Sequence, residues 1–209
     1  LRLQGMNKFL EFIKQDKLKM KFVKVQQKNF LENVISNEDY KFLKTRLKND
    51  GYEEWYFVVW FMTATGARVS ELLQIKAEHI TAGHLDIYTK GGKIRRLYIP
   101  QILKNEAVVW LRSKGISSGY IFLNRFGKRI TTRGIAQQLK HFADKYGLKR
   151  EVVYPHSFRH RFAKNFLDRF NDIALLADLM GHESIETTRI YLRRTATEQR
   201  AIVDKVVTW

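Results

Sequence analysis

Apolar residues first recur at Leu3, Met6, Leu10 and Ile13, the three- and four-residue spacing of one helix face. From Lys14 to Lys28 that spacing dissolves into Lys and Gln with scattered apolar positions, which reads as an exposed basic linker or a strap along a polyanion. Ser36, with Asp39 three residues on, marks a helix start carried to about Lys48 and closed by Asn49-Asp50-Gly51. Tyr52 to Thr65 is the most hydrophobic helix of the chain, and its run from Trp55 to Met62 is apolar all round, hence buried. Gly66 breaks it, and Val69, Leu72 and Leu73 give a second stripe between Arg68 and Ile75.

Beyond Gly83 the period changes to two. Leu85, Ile87, Leu97 and Ile99 alternate around Lys90-Gly91-Gly92-Lys93, which predicts a β-hairpin with a Gly-Gly turn. Pro100 opens another helix to about Ser113, and Tyr120 to Leu123 could add a third short strand. From Thr131 the pattern is helical, interrupted at Gly147, Pro155, Gly181 and near Thr195. The expected class is α+β, mainly helical, with a small three-stranded antiparallel sheet.

Composition narrows the function. Hydrophobic residues make up 44% of the 209, enough for a core. No run approaches the ~18 apolar residues of a membrane span. Cysteine is absent, which excludes disulfides, thiolate catalysis and cysteine-type zinc sites and suits a reducing, cytoplasmic setting. Lys and Arg number 38 against 21 Asp and Glu, a net +17 that favours a polyanionic partner such as nucleic acid. A solvated basic surface with no specific site would carry the same charge. The chain opens on Leu1 rather than Met, so an upstream part is expected.

Several residues could act on a phosphodiester. In Pro155-His156-Ser157-Phe158-Arg159-His160, the proline places His156 at the positive end of a helix dipole. Arg159, one turn on, can fork onto phosphate oxygens. His156 and His160 have the spacing of metal ligands, but Ser157 stands where a metalloprotease has Glu and Arg159 would repel a cation, so no metal is expected. Without other segments these would be two surface histidines. Arg68 follows a glycine at a helix start, with Glu71 placed to hold it; alone, such a pair is surface decoration. Lys90 and Lys93 flank the hairpin tip, where an ammonium reaches a leaving oxygen or merely touches DNA backbone. Tyr191 alone would be a core aromatic, since a phenol with pKa ~10 attacks poorly without adjacent cations.

Together these segments resemble the tyrosine recombinase, or phage integrase, family over roughly Phe30 to Trp209. Thr65-Gly66-Ala67-Arg68-Val69-Ser70-Glu71-Leu72 looks like the family's first arginine motif, and Lys90-Gly91-Gly92-Lys93 resembles its lysine hairpin, with Lys90 the better match. His156-Ser157-Phe158-Arg159-His160 matches His-x-x-Arg, and Leu179-Met180-Gly181-His182 the second histidine motif. Tyr191 stands nine residues beyond His182, where the family's nucleophile lies, and is followed by Arg193 and Arg194.

The resemblance implies a catalytic domain over residues 30–209 with a C-terminal tail helix, residues 1–29 being the last helix of an N-terminal core-binding domain plus linker. It implies that Tyr191 attacks a scissile phosphate to give a 3′-phosphotyrosyl link, with Arg68, Arg159 and His182 on the phosphate. Lys90 is then the general acid, His156 a base or orienter, and Glu71 a support for the site. Lys93, Arg95 and His160 are expected to contact DNA. Neither metal nor ATP nor another cofactor is implied. The implied partners are double-stranded DNA and three further copies of the chain, acting on two duplexes through a Holliday junction. DNA-bending accessory proteins are a further possible partner, and the free chain is expected as a monomer or weak dimer at the nucleoid. After Thr195 the stripe Ala201, Ile202, Val206, Trp209 implies a tail docking on a neighbour or on its own domain. The alternative function is a catalytically inactive DNA-binding accessory module of the same fold.

Overall fold

The helix Glu53–Thr65 (α3) organises the molecule, because its sequence leaves it no polar side. In this computed structural model, which describes residues 2–21, 33–88, 94–182, 184–192, 200 and 203–207, every residue from Tyr56 to Thr63 of α3 is buried. A helix apolar all round has to be enclosed by others. Asn37–Asn49 (α2) covers one side and Pro155–Arg169 (α8) another, with Gln101–Ser113 (α6) and Thr132–Lys145 (α7) completing the enclosure. Trp110 of α6 stacks on Phe57 with ring centroids 4.4 Å apart, and Phe122 meets Phe61 edge-on.

The helix ends follow their sequence signals. The Ser36 hydroxyl accepts the Asp39 amide at 2.9 Å, and Thr131 accepts the Gly134 amide at 3.0 Å. The stripe after Arg68 forms only the short helix Val69–Leu72 (α4), followed by Ala77–Ala82 (α5).

The hairpin has two strands, His84–Tyr88 (β1) and Ile94–Tyr98 (β2), paired antiparallel with Leu85 opposite Leu97 and Ile87 opposite Arg95. The expected third strand is not formed among the described residues. Tyr120 and Leu123 instead make isolated bridges, to Lys76 and Arg129. The chain turns through Asn124–Gly127 before it can extend a ladder, closing a tight loop with Lys128.

A second, smaller core lies beyond α8. Ala163 and Leu167 of α8, Leu176 and Met180 of Ile173–Met180 (α9), and Tyr191 pack together there. Asp172 caps α9 and Ser184 caps Ile185–Arg189 (α10), which runs into the 3-10 helix Ile190–Leu192. The N-terminal stripe forms Arg2–Phe12 (α1), with Met6, Phe9 and Phe12 exposed. Part of the basic linker (22–32), the hairpin tip (89–93), Arg193, Arg194 and, from the tail stripe, Ala201, Ile202 and Trp209 lie outside the described residues.

Candidate active site

The C-terminus of α9 is where the candidate residues converge. The last carbonyls of a helix lack partners within it and carry the negative end of its dipole. Here three successive carbonyls each receive a different arginine. Arg95 Nε donates to Leu179 O at 2.8 Å, Arg159 Nη2 to Met180 O at 2.6 Å, and Arg68 Nη2 to Gly181 O at 3.0 Å. These arginines come from β2, from α8 and from the start of α4. A single turn of helix gathers residues scattered along most of the chain.

Glu71 is the one carboxylate in the cluster. Its Oε1 accepts Arg68 Nη1 at 2.8 Å, and its Oε2 accepts both Arg95 Nη1 and the Arg68 backbone amide at 2.7 Å. The carboxylate therefore caps α4 and aligns two guanidinium groups at once. Burial pushes its pKa up, but the Arg95 charge and the hydrogen bonds outweigh this and hold it below the ordinary value. Three guanidinium charges against one carboxylate leave an excess of two positive charges, an electrostatic setting that favours an anion.

Two glycines let these elements approach. Gly66 ends α3 at φ +63°, and a Cβ there would lie 2.5 Å from the Phe162 ring of α8. That proximity lets Arg159 Nη1 donate to the Gly66 carbonyl. Gly181 ends α9 at φ +62°, and a Cβ there would overlap Cδ of Arg95.

The histidines divide the work. His182 Nδ1 pairs with Thr188 Oγ1 at 2.7 Å, and its Nε2 faces Arg159 Nη2 at 3.1 Å. A guanidinium only donates, so Nε2 is the acceptor and Nδ1 carries the proton toward Thr188. Burial, then the charges of Arg159 and Arg68, take the His182 pKa down to about 4, and the ring is neutral. His160 Nδ1 lies 2.8 Å from the Tyr191 hydroxyl. His156 is exposed on the first turn of α8, its ring centroid 6.3 Å from that of His160. Partial loss of hydration and the charges of Arg159 and Arg68 hold the His156 pKa below its usual value.

Tyr191 has its ring in the second core and only its hydroxyl turned to the site. The ring is the core aromatic that the local sequence suggests, and the hydroxyl is left against His160. Burial raises its pKa to about 12 although Arg159 and Arg68 oppose the rise.

Arg68 with Glu71, Arg159 with His182, and His160 with Tyr191 thus come together as three bonded pairs, with His156 beside the last. Arg95 is a correction. It is 6% exposed and faces Glu71 and Leu179, not an outer DNA-facing surface, because β2 points residues 95 and 97 to the same inner side. The alternation of Leu97 and Ile99 carried that signal. His160, also expected as a DNA contact, is turned inward onto Tyr191. Thr188, which fixes the His182 tautomer, had no local signal. Lys90 and Lys93 lie outside the described residues.

Residues 30–198 match the profile of the Phage integrase family. Tyrosine recombinase XerA of Pyrococcus furiosus is 37% identical over 154 residues, covering 71% of this chain and 53% of the relative. The chain spans about half the length of the relatives it matches. Among solved structures, XerH recombinase bound to its difH substrate before cleavage superposes with TM-score 0.71 at 21% identity, covering 97% of this chain and 62% of that one. The Tn1549 transposon integrase in complex with transposon right end DNA gives TM-score 0.73 at 15% identity, covering 99% and 78%. The structural likenesses establish a shared fold.

Proposed function

The chain belongs to the phage integrase family, and on that premise we propose that it cuts and rejoins DNA strands through a covalent link to Tyr191. One observation carries the reading: a buried tyrosine turns its hydroxyl to His160, where it feels the charges of Arg159 and Arg68 in a cluster of three arginines and one carboxylate that has two positive charges to spare. Tyr191 attacks the scissile phosphorus, forming a 3′-phosphotyrosyl bond and releasing a 5′-hydroxyl. Arg68 and Arg159 hold the non-bridging oxygens and balance the charge that builds in the transition state, while neutral His182, bonded to Arg159 and Thr188, keeps the Arg159 guanidinium in place. The leaving 5′-oxygen takes its proton from Lys90, a role that rests on the sequence motif alone. The phosphotyrosyl bond conserves the energy of the broken phosphodiester, so a second 5′-hydroxyl can reseal the strand.

The substrate is double-stranded DNA, which agrees with the net charge of +17. Exchange between two duplexes calls for four copies of the chain, working at the nucleoid with DNA-bending partners. No helix among the described residues is long and apolar enough to cross a membrane.

A nicked suicide duplex, from which the short cleaved fragment diffuses away, tests this on a denaturing gel. The chain is expected to form a covalent DNA adduct that Tyr191→Phe abolishes while leaving duplex binding intact. DNA binding without any adduct would assign the chain instead to the accessory-module class.

A further inference from the structure

We propose that His160 is the base that takes the phenolic proton of Tyr191, and so is itself a catalytic residue of strand cleavage. This rests on the phosphotyrosyl reading above. The Tyr191 hydroxyl has one hydrogen-bond partner among the described residues, His160 Nδ1 at 2.8 Å. The two rings lie 5.6 Å apart between centroids, inclined at 51°. That geometry places the imidazole lone pair at the oxygen that has to become a nucleophile.

The other two histidines are placed for different work. Both nitrogens of His182 are engaged, one by Thr188 and one by Arg159. His156 stands one turn before His160 and makes no hydrogen bond to Tyr191.

Protonation in the free chain agrees with this direction. Burial, then the charges of His156 and Arg159, lower the His160 pKa to about 4. Tyr191 is raised to about 12, so the shared proton rests on the phenol. The groups facing the pair are His156 and Arg159 from α8, His182 ahead of α10, and Arg68 and Tyr154 toward the phenol. His160 alone among them is a neutral base in contact with the hydroxyl. A phosphodiester seated on the arginines brings negative charge to the site and raises the imidazole's affinity for a proton. The base thus gains strength only with substrate present.

In the step itself, the Tyr191 O–H bond breaks and its proton passes to His160 Nδ1. The freed oxygen pair forms the bond to phosphorus. The bond from phosphorus to the 5′-oxygen breaks, and that oxygen leaves with the electron pair and a proton from the general acid. Religation reverses the transfer, and the His160 imidazolium returns its proton to the tyrosine oxygen.

The test is the pH profile of single-turnover adduct formation on the nicked duplex, with His160→Ala and His160→Asn beside the wild type. At about pH 7 both variants should cleave about 10²–10³-fold more slowly. The His160→Ala rate should then climb by about tenfold per pH unit toward about pH 9, as the phenolate fraction grows. The amide of Asn can hold the hydroxyl but cannot accept its proton. A near-normal rate for His160→Asn, or a His160→Ala profile parallel to wild type, overturns the assignment.

Nitrogen-15 NMR gives a second readout that needs no activity. His160 Nδ1 is expected as the unprotonated ring nitrogen, with a signal that moves in Tyr191→Phe. A protonated Nδ1 overturns the proposal. Failure of the wild type to form any adduct would count against the phosphotyrosyl reading, and the nitrogen spectrum would still decide where the hydroxyl proton sits.

Discussion

Arg68 keeps 36% of its side chain exposed, whereas Arg159 is buried to 4% and Arg95 to 6%. All three grip the same helix end, but they will not fail alike. Arg68→Ala should slow cleavage by about 10²–10³-fold with under about 1 kcal/mol of stability lost. Arg159→Ala should show a comparable kinetic loss together with about 3–5 kcal/mol of destabilisation, because the Gly66 and Met180 carbonyls lose a buried charged donor. Urea unfolding beside single-turnover cleavage separates the two outcomes. Acid should act on the same residues. His160 and His182 have folded pKa values of about 4 against an ordinary 6.5, so the unfolded chain binds more protons between those values. Stability is full above about pH 6.5 and falls as pH drops toward 4, with the depressed Glu71 adding to the loss at the acid end. The thermal midpoint should follow that course, less steeply in His182→Asn. The arginines were readable from their motifs, since Gly66, Arg68 and Glu71 stand together in sequence. Arg95 and Arg96 look identical as neighbours, and only strand parity separates the buried one from its twin, which pairs with Asp86 on the outer face. The contact of His160 with Tyr191 depends on how α9 and α10 fold back across α8, and no local pattern encodes it.

Helices and turns were legible wherever a cap or a glycine marked their ends. Ser36, Gly66, Thr131, Gly181 and Ser184 each stand where the periodicity changes. The third strand failed because four apolar residues promise a strand without saying that a neighbour waits beside it. Gly181 tests how much of the site depends on close approach between elements. Gly181→Ala meets both the strain of a positive φ and the stem of Arg95, whereas Gly127→Ala meets a similar φ with nothing within 4 Å. Gly127→Ala should lose about 1 kcal/mol or less. Gly181→Ala should lose clearly more, with cleavage falling as Arg95 is pushed off Leu179. Equal losses in chemical denaturation would show that the contact carries no weight.

At the scale of the whole chain, the charge of +17 should set how it meets the DNA of the proposed reaction. Affinity should fall linearly on a log–log plot against salt, with the slope unchanged in Tyr191→Phe and shallower by about one in Arg68→Ala if that arginine holds a phosphate. Titration of a labelled duplex at several salt concentrations measures both. Charge was readable from composition, and it named a class of partner without locating a site. Location came from the end of α9, and that has a consequence for the order of assembly. Domains form as the chain emerges from the ribosome, beginning at the N-terminus. Arg68, Arg95 and Arg159 all precede the three carbonyls that receive them. Until Leu179–Gly181 has been made and α9 has docked, Glu71 can pair Arg68 with Arg95, but nothing joins Arg159 to them and Tyr191 does not yet exist. On the proposed chemistry, a nascent or clipped chain that stops short of α9 carries the basic surface that meets DNA without the assembled site that would cut it.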